Sequence, residues 1–169
     1  MEPLHATPDA FSCLRPRSKA LVTMKKRILL ADDDEGVRAS LGQVLVMEGY
    51  EVLPAANGRQ AVAWLRSRLP DLALLDINMP GLNGWQTLER LERRRPFLPL
   101  IVITARPHQY PRAVGAGVDA LMEKPLHVPI LLSAIRELLA ESLPQRMVRL
   151  ARPDFATRLV HPPLCPADS

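Results

Sequence analysis

The chain has 169 residues, 22 Lys and Arg against 18 Asp and Glu, a formal net charge of +4 and a sequence pI near 9.5. That length fits one α/β domain with tails and leaves little room for a second core. Its two cysteines, Cys13 and Cys165, lie far apart in the tails, so neither a disulfide framework nor a CxxC motif is implied, a pattern that suits a reducing cytoplasm. No apolar run reaches the roughly 18 residues needed to cross a bilayer.

Residues 1–23 mix Pro3, Pro8 and Pro16 with polar and basic residues without a period and read as a disordered extension. Met24, directly before Lys25-Lys26-Arg27, offers a second candidate start. From there, short apolar runs alternate with helical patterns: residues 28–31, 51–54, 72–75, 100–103 and 120–122 have strand length and are mostly continuously apolar, as strands covered on both faces are. Between them Val37, Leu41, Val44 and Leu45 recur at helical spacing, then Ala61, Trp64 and Leu65, then Trp85, Leu88 and Leu91. The segment 106–117 carries Pro107, Pro111, Gly115 and Gly117, which predicts a stunted fourth helix, because an interior proline costs about 3 kcal/mol or more. A last helix runs through Ile130, Leu131, Ala134, Ile135, Leu138 and Leu139 to Pro144. Residues 142–169 read as a disordered, proline-rich basic tail with Arg146, Arg149, Arg152 and Arg158, in which 145–151 has room for one or two helical turns. The domain is placed at 24–141.

Five βα units with right-handed crossovers give a doubly wound parallel sheet with helices on both faces, and its ligands belong at the carboxyl ends of the strands. The polar residues fall there: Asp32-Asp33-Asp34-Glu35 after the first strand, Asp76 after the third, Thr104 after the fourth, and Lys124-Pro125 after the fifth. Carboxylates about 4 Å apart repel by roughly 1 kcal/mol per pair in water and about 4 at an intermediate dielectric, so a cation is needed. All-oxygen ligation without clustered His or Cys favours Mg²⁺. Each residue also has a plainer role: Asp34 or Glu35 as a helix N-cap, Thr104 as a β-branched strand residue, Lys124 as a solvated charge, and Met79-Pro80-Gly81 as turn chemistry.

The segments 28–34 (Ile-Leu-Leu-Ala-Asp-Asp-Asp), 75–81 (Leu-Asp-Ile-Asn-Met-Pro-Gly) with Gly84, 103–105 (Ile-Thr-Ala) and 123–125 (Glu-Lys-Pro) together resemble the receiver domain of two-component response regulators, from about residue 28 to 139. The resemblance implies the flavodoxin-like strand order 2-1-3-4-5. It implies that Asp76 accepts a phosphoryl group from a histidine kinase or histidine phosphotransfer protein. Asp33, Asp76 and the carbonyl of Asn78 would bind Mg²⁺, with Asp32 acting through water. Thr104 and the Ala105 N–H would meet the phosphoryl oxygens, and Lys124 would supply a second positive charge, with Pro125 following a cis peptide. Asn78 and Arg106 would tune the lifetime of the phosphoryl group. Leu121 stands where the family usually has an aromatic residue, so the usual aromatic swing is missing. The expectation is therefore a stand-alone cytoplasmic receiver, monomeric or weakly dimeric, with an unknown output protein, no DNA-binding domain, no membrane segment, and only self-phosphorylation and self-dephosphorylation chemistry. Three other readings stand beside it. One is a receiver-fold binding module with lost or incidental phosphorylation. Another is an Asp-nucleophile phosphatase, which would need a second Asp where Asn78 stands. The last is DNA binding through the basic tails.

Overall fold

The computed structural model describes residues 24–81, 83–152 and 154–160, so the expectations for 1–23 and 161–169 lie outside the described residues. The five runs of strand length are strands: β1 (Arg27–Ala31), β2 (Glu51–Ala55), β3 (Leu72–Asp76), β4 (Leu100–Thr104) and β5 (Ala120–Glu123). Helices α1 (Glu35–Met47), α2 (Gly58–Ser67), α3 (Gly84–Arg94), α4 (Tyr110–Gly115) and α5 (Val128–Ala140) alternate with them. All strand pairs are parallel, in the expected order 2-1-3-4-5.

Successive strand residues point to opposite faces, so each strand feeds two cores. Leu29, Leu75 and Val102 pack with Leu65 of α2, Leu88 and Leu91 of α3 and Ala113 of α4. Ile28, Leu30, Leu74, Ile101 and Ile103 pack with Leu41 and Leu45 of α1 and with Leu131 and Ile135 of α5. Each fully buried Leu or Ile contributes about 1.5–3 kcal/mol. Asp34, Asn57 and Asn83 each start a helix by accepting the backbone N–H three residues on, at 2.9–3.0 Å. Helix α4 is six residues long, without a side-chain cap, and Pro111 sits in its first turn, where a missing N–H costs little. This is the stunted helix expected from the Pro and Gly pattern.

The expectation of a disordered tail fails over Leu143–Leu150 and Arg158–Val160. Helix α6 (Leu143–Leu150) follows α5, and β6 (Arg158–Val160) pairs in parallel with β5, making a sixth strand at that edge. Pro144 opens α6 instead of ending the chain's regular structure, and Ser142 and Gln145 form a reciprocal capping box. The helix presents its polar side inward. The Arg146 guanidinium is buried and donates to both oxygens of the buried Asp119 carboxylate at 2.7 Å and to the Leu98 carbonyl at 3.2 Å. Arg149 donates to Asp119 at 2.6 Å and to Glu141 at 2.7 and 2.8 Å, and Arg158 pairs with Glu137. Three of the four arginines of the C-terminal tail are thus paired within the fold, while the basic residues of the N-terminal tail lie outside the described residues. No helix among the described residues is long and apolar enough to cross a membrane.

Candidate functional site

The parallel register brings the ends of β1, β3, β4 and β5 to one edge: Asp76 pairs with Ile103, and Thr104 with Glu123. The ladder continues for one more bond beyond β1 and β5, since Asp32 N–H donates to Ala55 O at 3.1 Å and Lys124 N–H to Thr104 O at 2.7 Å. Asp32, Asp76 and Thr104 are buried, at 1%, 2% and 0% exposure, while Asp33 is exposed. Buried carboxylates require partners. Lys124 supplies one, its Nζ donating to Asp32 Oδ2 at 2.9 Å and to Asp76 Oδ2 at 2.6 Å. The remaining Asp76 oxygen, Oδ1, accepts the Asn78 N–H at 2.7 Å, and Asp32 Oδ1 accepts the Asp34 N–H at 2.9 Å.

Burial holds the Asp32 carboxyl above the usual carboxylate range, against the opposing pull of Lys124 and the Asp34 N–H. Burial also works against the Lys124 ammonium, but its hydrogen bonds to Asp76 and Asp32 outweigh that and hold it above the ordinary lysine value. One ammonium faces two buried carboxylates, so the cluster keeps an unmatched negative charge. Asp32, Asp33 and Asp76 each offer an oxygen within 4.8 Å of the others, an all-carboxylate set that suits a hard cation.

The other residues singled out from the sequence divide into those at this edge and those away from it. Thr104 Oγ1 accepts the Arg106 N–H at 2.9 Å and lies 3.3 Å from the Arg106 carbonyl, so its hydroxyl is held within its own loop. Ala105 and Arg106 are exposed on that loop, and the Lys124–Pro125 peptide is cis. The Asn78 side chain has both polar atoms buried and without a partner among the described residues. It lines, with Ile77, Trp85, Arg106, Gln109 and Arg112, a pocket of about 330 Å³. Leu121 does not reach the edge: it is fully buried in β5, paired with Val102 on one side and Leu159 on the other. Asp34 is the N-cap of α1, so it takes the plainer of its two readings.

Two residues with structural roles escaped sequence reasoning, one at the site and one at the opposite end of the sheet. Arg38 Nη1 donates to the carbonyls of Asp32 and Asp33 at 2.7 and 2.9 Å; an arginine one turn into a helix that opens on an acidic loop was the available signal. Asp119, at the foot of β5, accepts the Leu100 N–H at 2.8 Å as well as the two arginines, and a lone Asp before a strand carried no signal.

A family model described as the response regulator receiver domain matches residues 28–136. The chain belongs to that family. Among curated relatives, the receiver domain matches the response regulator MprA of Mycolicibacterium vanbaalenii at 39% identity over 123 residues, 72% of this chain and 53% of the relative. Among solved structures it is similar to a CheY-like response regulator receiver domain protein from Methanospirillum hungatei JF-1, at 36% identity and TM-score 0.65, over 69% of this chain and 94% of that one. It is also similar to the response regulator protein TrrA of Thermotoga maritima in complex with Mg(2+)-BeF, at 31% identity and TM-score 0.61, over 67% of this chain and 98% of that one.

This receiver chain spans about half the length of the curated relatives it matches. That overturns the expected partner set of a stand-alone receiver, with its monomeric or weakly dimeric state and its lack of a DNA-binding domain. The matched relatives are response regulators of which the receiver portion is only about half, and a partner list drawn from a receiver alone does not describe such proteins.

Proposed function

We propose that the receiver accepts a phosphoryl group on Asp76 in a two-component pathway, with Mg²⁺ bound among Asp33, Asp76 and the Asn78 carbonyl and with Asp32 acting through water. The observation that carries this reading is Lys124 bridging Asp32 and Asp76 at 2.9 and 2.6 Å while Asp33 offers a third carboxylate beside them. The donor set fits the ion, since three carboxylates with one ammonium leave negative charge to be balanced. A divalent cation bound there supplies neutralisation of the phosphoryl oxygens.

The chain's own groups do the rest. An Asp76 oxygen forms the bond to phosphorus as the bond to the donor, a phosphohistidine nitrogen in such pathways, breaks and the donor keeps the electron pair. The Asn78 N–H on Oδ1 orients the carboxylate. The Lys124 ammonium, within 2.6 Å of Oδ2, is placed to follow the charge onto a phosphoryl oxygen. The Thr104 hydroxyl and the Ala105 N–H stand at the neighbouring strand end to take another. Asn78 and Arg106, lining one pocket, flank the route of hydrolytic water and set the lifetime of the acyl phosphate. The chemistry is confined to gaining and losing that group.

The test is intact-mass measurement after incubation with Mg²⁺ and a small acyl phosphate or phosphoramidate. One phosphoryl group should be gained by the parent chain and none by Asp76→Asn or by the parent with chelator. A gain that persists in Asp76→Asn removes the assignment.

A further inference from the structure

Arg38 lies in α1, yet its guanidinium serves the loop before that helix. A single nitrogen, Nη1, donates to two successive carbonyls, those of Asp32 at 2.7 Å and Asp33 at 2.9 Å. Three carboxylates stand in that loop, but no ion pair joins Arg38 to any of them among the described residues. Two further bonds hold the same turn: Asp34 N–H to Asp32 Oδ1 at 2.9 Å, and Val37 N–H to Asp34 Oδ1 at 3.0 Å. The Asp32 carboxylate is therefore committed to Lys124 and the Asp34 N–H, and the Asp34 carboxylate to the helix cap. Asp33 differs. Its carboxylate is exposed and accepts no bond among the described residues, yet one of its oxygens lies within 4.8 Å of the ligand atoms of Asp32 and Asp76.

With no bond of its own, the Asp33 side chain depends on its backbone for its place at the cluster, and Arg38 holds the carbonyls on either side of the Asp33 peptide unit. We propose that Arg38 is a positioning residue of the cation site, fixing the β1–α1 turn so that the free Asp33 carboxylate faces Asp76. This rests on the cation-binding reading above. Groups that orient ligands without touching the ion commonly change metal affinity 10–100-fold when removed.

The sign of the effect separates positioning from charge. Arg38 is a cation near a cation site, so removing it on electrostatic grounds alone would tighten binding; loss of positioning weakens it. The test is the dissociation constant of Mn²⁺, read from the EPR signal of the free ion with Mg²⁺ as competitor, on the full chain and with folding checked by circular dichroism. Arg38→Met should bind about tenfold more weakly than the parent. Arg38→Lys, whose ammonium can still meet a carbonyl, should recover most of that loss, a rescue that a merely structural role would not give. Should Arg38→Met fail to fold, Arg38→Gln, which keeps one donor, replaces it in the comparison. Binding by the variant as tight as the parent's, or tighter, overturns the proposal while leaving the cation site standing. Absence of binding by the folded parent overturns both.

Discussion

The most informative perturbation lies away from Asp76, at the join between α6 and the sheet. Arg146 and Asp119 have side chains 5% and 1% exposed, and the guanidinium spans both carboxylate oxygens and the Leu98 carbonyl. Removing one partner of a buried pair strands the other, at a cost of about 3–5 kcal/mol. Two features soften this: Arg149 and the Leu100 N–H still hold the Asp119 carboxylate at 2.6 and 2.8 Å, and Arg146 Nε has no partner to lose among the described residues. The expected loss for Arg146→Met is therefore at the lower end, about 3 kcal/mol, or roughly 6–12 °C in Tm for a chain of this size. Urea denaturation followed by circular dichroism measures it. Arg146→Lys should lose nearly as much, because a point-like ammonium cannot span both oxygens. A chain ending after Glu141 should lose at least as much, having given up both arginines and β6. A change below 1 kcal/mol in Arg146→Met would show that α6 only leans on the domain and that the pair does not hold it.

Two other outcomes follow from the geometry. A Cβ added at Gly84 would meet Ile77 Cα at 2.1 Å and the Asp76 carbonyl at 2.6 Å, both backbone. Gly84→Ala should therefore cost about 3 kcal/mol or more in denaturant stability and reduce phosphoryl uptake by displacing the acceptor loop. Glu141 is held below the usual carboxylate range, first by its hydrogen bond to Arg149. Its folded pKa lies below the unfolded value, so its contribution is present above that value and is lost as pH falls through the folded one. Glu141→Gln should then be less stable than the parent near pH 7, by on the order of 0.5–1 kcal/mol, and equal to it in strong acid. A difference that grows as the pH falls contradicts that pairing.

Strands β1, β3, β4 and β5 were legible because strands buried on both faces demand nearly unbroken apolar runs, the edge strand β2 by its length between two helical patterns, and the site edge followed because parallel strands must end together. Helix α4 was legible through Pro111 and its flanking glycines. The stretch 143–160 was not, for reasons particular to its residues. Pro144 read as a stop, although a proline in a first turn loses no hydrogen bond, and the Ser142-x-x-Gln145 box was the overlooked start signal. Arg146 read as solvated charge, because nothing local shows that Asp119, 27 positions earlier, will be buried against it. Strand β6 has three residues, too few for any period. At the site, the residue types announced the carboxylates and Lys124. The bonds Arg38 makes depend on the turn of the backbone and were hidden.

The covered β5 edge also bears on how phosphorylation would be felt. Leu121 is locked between Val102 and Leu159, with no aromatic ring to swing and no open strand edge beside it. Thr104, by contrast, keeps its hydroxyl on Arg106, at the start of a loop that leads into a six-residue helix without a side-chain cap, with His108 at φ 60° on the way. Drawing the hydroxyl toward a group on Asp76 breaks that local bond, and the helix beyond it is six residues long and without a side-chain cap. Deuterium exchange with and without beryllofluoride and Mg²⁺ should accordingly change most over 105–117 and little over 120–122 and 158–160. The reverse pattern, with the largest change where β5 meets β6, would mean that the signal leaves through the C-terminal segment and that the Thr104 loop is a bystander.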